Sequence, residues 1–343
     1  MPEARRAPTI GDVARAAGVA KSTVSRALND STRIGEPTKK RVRAAARRLG
    51  YEPNYIARSL TKKSTHTIGV ILEDILNPFF TEVAKGIQTT LRKSGYTMLL
   101  TSSGYRSDEE LELARTLLRN KVDGVLITPL AADSPAVRLL QKRRVPFFIL
   151  NEKSEDRELS WVDSDNLEGG RLATEYLLKL GHRRFLNLSS NALRGTRDRF
   201  EGFRRAIEAR GLRLEDQVVL RDANSQADAC ALVTEFIRAH GQQALPSALV
   251  AVNDAVALGA MECLLAQGVR IPEEVSIIGY DDIYLAPFLR VPLTTVHQSK
   301  YKMGEIAASG LLNRISLKEN GQAHHFLIKP RLIVRESCQE HNT

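Results

Sequence analysis

The chemistry this sequence offers most plainly is hydrogen-bond donation to nucleic acid. Lys21 and Ser22, with Arg26 one turn further on, lie along one face of a short predicted helix. Lys and Arg can donate to guanine O6 and N7, and Ser can contact base or phosphate. A second set of polar groups follows apolar runs that read as buried strands. Asp74, Asn77, Phe79 and Phe80 come after Ile68–Leu72, and Asn151 after Pro146–Leu150. Arg199 comes beyond Arg184–Ser189, where it is expected to start a helix. Asn253 and Asp254 follow Ala248–Val252, and Asp281 and Asp282 follow Val275–Tyr280. Two rings with amides, carboxylates and a guanidinium suit a hydroxyl-rich ligand, because forked polar groups take hydroxyls in pairs and rings cover its apolar side. Each residue also has a plainer use: Asn and Asp in turns and caps, Phe79 and Phe80 in a core.

Two kinds of element must position these groups. Thr9 caps a first helix, with Asp12 three residues on and Ile10, Val13, Ala14 and Ala17 at helical spacing. Gly18-Val19-Ala20 breaks it, and a second helix, Lys21 to Asn29, buries Val24 and Leu28. Two short helices about a Gly-containing turn are the helix-turn-helix pattern, whose second helix enters the major groove. A third helix runs from about Pro37 to Gly50, with Val42, Ala45, Ala46 and Leu49 on one face and six basic residues elsewhere. Residues 1–63 hold 15 Lys and Arg against 5 Asp and Glu, so the whole net charge of +10 lies in this segment. A small basic module on a neutral body fits phosphate-backbone binding; a helix face making only phosphate contacts is the blander use of the same residues. Asn54 to about Leu60 reads as a further short helix, marginal alone. Leu60 is either an apolar wedge in a minor groove or a core or linker residue.

From Thr67 the pattern becomes strands alternating with helices: Thr97–Thr101 and Gly124–Thr128 join the strands above, and Asp108–Arg119, Gly169–Leu180 and Arg199–Arg210 are among the helices. This predicts an α/β class, doubly wound parallel sheets in two similar lobes, with Asp163 to Gly170 as a crossing between them. Ligands of such sheets sit at the carboxyl ends of the strands.

The run Thr9 to Asn29 and the run Gly50 to Leu60 resemble the head of the lac repressor (LacI/GalR) family of bacterial regulators. So do Asn77-Pro78-Phe79-Phe80, Val122-Asp123-Gly124, Asn253 to Gly259 and Gly279-Tyr280-Asp281-Asp282 in the body, a likeness extending over about Thr67 to Ser337. The resemblance implies a helix-turn-helix head, a hinge helix and a periplasmic-binding-protein-like effector domain. It implies DNA contact by Thr9, Lys21, Ser22, Thr23, Ser25, Arg26, Asn29, Asn54, Ala57, Arg58 and Leu60. It likewise implies effector contact by Phe80, Asn151, Arg199, Asn253 and Asp281, with Phe79 and Asn77. Ala223 stands where many members carry a large aromatic, which implies another specificity or a bulkier ligand. The expected division is 1–50 head, 51–66 hinge helix and linker, 67–337 effector and dimerisation domain, and 338–343 tail. The expected partners are a pseudo-palindromic operator in double-stranded DNA, a sugar-like effector and a second copy in a homodimer, since no leucine heptads follow Ser337.

Other classes fit poorly. No Gly-x-Gly-x-x-Gly follows a strand, no phosphate loop is present, and the seven histidines lack ligand spacing, so neither an enzyme nor a cofactor is expected. His324 and His325 read as a surface strand pair. Cys230, Cys263 and Cys338 are scattered and read as reduced thiols. No apolar run reaches the roughly 20 residues of a membrane span. Met1 to Arg6 with no apolar stretch behind it is not a secretory signal, which argues for a cytoplasmic protein and against a transport-type sugar binder.

Overall fold

The structure, a computed structural model, describes residues 8–51, 64–317 and 322–341. The chain splits into two compact units, Met1–Thr65 and His66–Thr343.

The first unit packs three helices, α1 (Ile10–Ala17), α2 (Lys21–Leu28) and α3 (Glu36–Leu49). The Asp12 carboxylate accepts from the Thr9 amide at 2.9 Å and the Thr9 hydroxyl at 2.7 Å, which holds the start of α1. Gly18 and Gly50 end α1 and α3 at φ 62° and 63°, the left-handed conformation glycine adopts without a Cβ penalty. Val13, Ala17, Val24, Ala27, Val42 and Ala45 form the core; their small side chains let the helices cross closely. Two expectations for α3 need correction. Leu49 is exposed, and Lys39 is buried against Glu36 (3.0 Å), with Asp30 3.9 Å away, instead of joining the solvated basic face. Arg43 also pairs with Asp30.

The second unit holds two six-stranded sheets. Its elements in chain order are β1 (Thr67–Leu72), α4 (Pro78–Lys93), β2 (Thr97–Ser102), α5 (Ser107–Arg119), β3 (Gly124–Ile127), α6 (Pro135–Lys142), β4 (Phe147–Leu150) and β5 (Trp161–Ser164). Then come α7 (Asn166–Lys179), β6 (Phe185–Leu188), α8 (Arg194–Glu208), β7 (Val218–Leu220), α9 (Gln226–His240), β8 (Ala248–Ala251), α10 (Asp254–Ala266), β9 (Ser276–Asp281) and β10 (Thr294–His297). The last three are α11 (Lys300–Leu317), β11 (His325–Ile328) and β12 (Arg331–Ile333). One sheet is ordered β11-β5-β4-β3-β1-β2 and the other β12-β10-β9-β8-β6-β7, parallel throughout except for β12 against β10. The near-continuous apolar strands are buried on both faces, as parallel sheets require.

Among the described residues the chain crosses between lobes three times, the first within the expected Asp163 to Gly170 segment. Asp165 caps α7 at the first crossing, accepting from the Glu168 amide at 3.2 Å; Gln298-Ser299 and Lys329-Pro330 make the second and third. The later crossings return α11 and β11 to lobe 1, where Met303, Ala307 and Leu311 pack with Ile68, Phe80 and Phe148. Strands β5, β7 and β10 to β12 are short; β7, β11 and β12 are sheet edges, and β5 and β10 lie next to one. Helix α8 starts at Arg194, so Arg199 sits in its second turn and not at its start. Helix α7 likewise starts three residues before Gly169. His325 lies on exposed edge strand β11, its ring stacked on Trp161 at 5.2 Å.

Candidate functional site

On α2, Lys21, Ser22 and Arg26 are exposed, while Thr23, Ser25 and Asn29 are half-buried. Gly11 leaves room for the Lys21 stem: a Cβ there would lie 3.1 Å from Lys21 Cε. The Asn29 amide nitrogen donates to the Ser25 carbonyl at 2.8 Å, so Asn29 closes the end of α2. Thr9 is similarly engaged with Asp12. Lys21, Arg26, Lys40, Arg41, Arg47 and Arg48 form no ion pair with any described residue. Asn54, Ala57, Arg58 and Leu60 lie outside the described residues.

In the second unit a narrow cleft opens between the two sheets. Lobe 1 lines it with Glu73, Asn77, Phe79, Phe80, Tyr105 and Asn151. Lobe 2 contributes Arg199, Asn253, Asp281, Thr196 and the adjoining Leu193 and Gly195. The seven effector-contact candidates therefore share one cavity although they span more than 200 positions of chain.

Each is held by the element beneath it. Asn77 and Asn253 cap α4 and α10, their side-chain oxygens accepting from Phe79 N (3.0 Å) and Val256 N (2.8 Å). The Phe79 and Phe80 rings meet edge to face at 5.0 Å, and both belong to the lobe 1 core as well as to the wall. The Arg199 guanidinium lies 3.9 Å above the Tyr280 ring and donates to Asn166 Oδ1 (2.9 Å) and the Val252 carbonyl (2.8 Å). It stands 3.8 Å from the Asp281 carboxylate. Asp281 also accepts from Gln298 Nε2 at 2.6 Å, while Lys300 Nζ donates to the carbonyls of Asp281 and Asp282, each at 2.6 Å. Burial raises the Asp281 carboxyl, and Arg199 and Lys300 pull it back down. Tyr105, Asn151 and Asp281 all have positive φ, 58°, 59° and 121°. Non-glycine residues held this way concentrate at ligand-binding sites, where surrounding structure over-determines them.

Glu73, Tyr105 and Thr196 were not among the sequence candidates. Glu73 directly follows β1 and Tyr105 follows β2, so the strand-end rule applied to every strand would have found both. Thr196 has no such signal. Conversely, Asp254 does not line the cleft: it is fully buried and accepts from Ile283 N (2.9 Å) and Thr295 Oγ1 (2.5 Å). Asp282 turns away to Arg335 (2.6 Å) and His297 (2.8 Å). Ala223 is buried in the lobe 2 core and is absent from the cleft wall. No helix among the described residues is long and apolar enough to cross a membrane, and no cluster of His, Cys, Asp or Glu there could hold a metal.

Comparison with known proteins agrees with this architecture. Residues 9–54 match the model of "Bacterial regulatory proteins, lacI family", and residues 65–336 that of "Periplasmic binding proteins and sugar binding domain of LacI family". The HTH-type transcriptional repressor PurR of Vibrio cholerae serotype O1 (strain M66-2) is 34% identical over 334 residues, covering 97% of this chain and 98% of that protein. Among solved structures, the CelR–cellobiose complex of a transcriptional regulator superposes with a TM-score of 0.71 at 29% identity, over 96% of this chain and 99% of that one. The lac repressor dimer bound to operator and the anti-inducer ONPF shares the fold at a TM-score of 0.85 and 23% identity, covering 97% of this chain and 100% of that one. A basic helix-turn-helix unit followed by a two-sheet, effector-binding body is thus the architecture of a DNA-binding transcription regulator, and this chain belongs to the LacI family.

Proposed function

We propose that this protein represses transcription as a homodimer whose two heads read a pseudo-palindromic operator, and that a small polar effector, a sugar or sugar derivative, sets operator affinity from the cleft. The observation that carries this reading is the bonding of the cleft groups to the crossings between lobes. Arg199 reaches Asn166 at the first crossing, and Asp281 is held by Gln298 and Lys300 at the second. A ligand that pulls on Arg199 and Asp281 acts on the joints themselves. It alters operator affinity if it binds the two lobe arrangements unequally.

In this reading Lys21, Ser22 and Arg26 contact bases. Thr23 and Ser25 contact the DNA backbone, Thr9 presents the start of α1 to it, and Asn29 contacts it from the end of α2. Asn54, Ala57, Arg58 and Leu60 take the hinge role on the family pattern. The division of labour is 1–50 for reading, 51–66 for the hinge, 67–337 for sensing and pairing, and 338–343 as a tail. The protein acts in the cytoplasm and catalyses nothing. A nucleobase or nucleoside is the second reading of the effector, favoured by the Phe79–Phe80 ring pair on which a flat base can rest.

The experiment is selection of preferred duplexes from a random pool with the full chain, followed by fluorescence anisotropy. Arg26→Ala should cost roughly 1–3 kcal/mol on the selected site and relax preference at the base it contacts. Absence of any preferred duplex at moderate salt would sink the regulator reading. A ligand that saturates the protein without changing operator affinity would sink the coupling.

A further inference from the structure

The lobe 1 wall of the cleft holds a carboxyl group without a counter-charge. Glu73 is 1% exposed, lines the cleft and forms no ion pair with any described residue. The groups facing it are the Asn151 amide, the Glu152 and Glu110 carboxyls, the Tyr105 ring and, across the cleft, Arg199. Arg199 offsets it only in part, because its hydrogen bonds go to Asn166 and Val252 and its nearest carboxylate is Asp281, at 3.8 Å. A buried charge lacking a partner is costly, and a cation is what relieves it. The same wall presents the rings of Phe79, Phe80 and Tyr105, and aromatic faces beside a carboxylate attract ammonium groups. A neutral polyol would leave Glu73 a protonated acid with no charge to pair, a sugar acid or phosphate would add negative charge beside Glu73 and Glu152, and only a cation turns the buried carboxyl into an ion pair.

On these grounds we propose that the effector carries a protonated aliphatic amine, seated between Glu73 and the three rings, with its hydroxyls toward Arg199, Asn253 and Asp281. An amino sugar or an amino polyol of similar size meets this description. The inference rests on the cleft being the effector site. Burial, and then Glu152, hold the Glu73 carboxyl well above its usual range, against the pull of Asn151 and Arg199. The empty cleft therefore favours the protonated acid. An ammonium group favours the carboxylate, so binding should release a proton to solvent.

The test is calorimetric titration of the full chain with D-glucosamine, D-galactosamine and D-mannosamine, each beside its parent hexose and its N-acetyl derivative. At least one amine should bind tenfold or more tightly than both its neutral counterparts. Titration in two buffers of unlike ionisation heat should show proton release. Glu73→Gln should abolish that release and lower affinity for the amine at least tenfold more than for its parent sugar, and Tyr105→Ala should also weaken the amine. Amines that bind no better than their neutral counterparts, or a preference that survives Glu73→Gln, would overturn the proposal. If neutral hexoses bind and Asp281→Ala abolishes that binding, the cleft reading stands while the amine fails. Binding that survives Asp281→Ala and Glu73→Gln alike would instead remove the cleft from its effector role.

Discussion

Replacing Arg199 by Ala should destabilise the body far more than an exposed arginine would. The side chain is 12% exposed, and its loss removes hydrogen bonds of 2.9 and 2.8 Å and a cation 3.9 Å above Tyr280. It also strands the Asp281 carboxylate, only 5% exposed, without its nearest guanidinium. Removing one partner of a buried ion pair costs about 3–5 kcal/mol. Burial already raises the Asp281 carboxyl, and Lys300 and Gln298 remain beside it. Partial protonation therefore limits the loss to the low end, about 3 kcal/mol. At roughly 2–4 °C per kcal/mol for a body of this size, the transition should fall by roughly 6–12 °C. Scanning calorimetry on the full chain distinguishes the body's transition from that of the small head. Adding Asp281→Asn to Arg199→Ala removes the stranded charge and should restore about 1–3 kcal/mol. A drop under about 2 °C, or a double variant as unstable as the two single losses summed, would refute the buried-pair account.

Three further outcomes follow from other contacts. Gly170→Ala places a Cβ 2.1 Å from the Arg199 carbonyl oxygen, so α7 and α8 must separate; circular dichroism melting should show a loss of about 3 kcal/mol, with weaker effector binding as Arg199 moves. Burial, then His341, lowers the His182 imidazole to about 4, while the unfolded ring titrates near 6.5. Only the unfolded chain gains this proton between those values, so its contribution to stability is intact above pH 6.5 and falls by about 2 kcal/mol at pH 5. Denaturant titration of His182→Gln against the parent at both pH values should isolate that slope from the buried carboxyls, whose raised values act in the opposite sense. Finally, Leu76 and Phe288 are 86% and 81% exposed, large apolar side chains available to the proposed homodimer interface; if Phe288 lies in it, Phe288→Glu should shift the full chain toward monomer in sedimentation equilibrium, and an unchanged mass would place the interface elsewhere.

Local rules carried the head and the rhythm of the body. A capping Thr-x-x-Asp, the Gly18 and Gly50 stops and the spacing of Val13, Ala17, Val24 and Val42 depend on neighbours three or four residues away, so they can be read from a linear string. The apolar runs of β1, β3, β4, β6, β8 and β9 are similarly self-contained, because each is buried on both faces. Sequence separation is what defeats such reading elsewhere. Edge strands such as β7, β11 and β12 exist only because a distant partner supplies their hydrogen bonds, and two of the three crossings depend on α11 returning to pack on lobe 1. The burial of Lys39 needed Glu36 and Asp30 to converge on it. Whether a polar residue after a strand faces ligand or core was likewise a tertiary decision: Asn253 opens onto the cleft, while Asp254 beside it turns inward to Thr295 and Ile283. Chain composition announced that charge and acid groups were available. Only folding placed Glu73, Arg199 and Asp281 around one cavity, because a carboxylate's neighbours in space are set by which strands lie side by side.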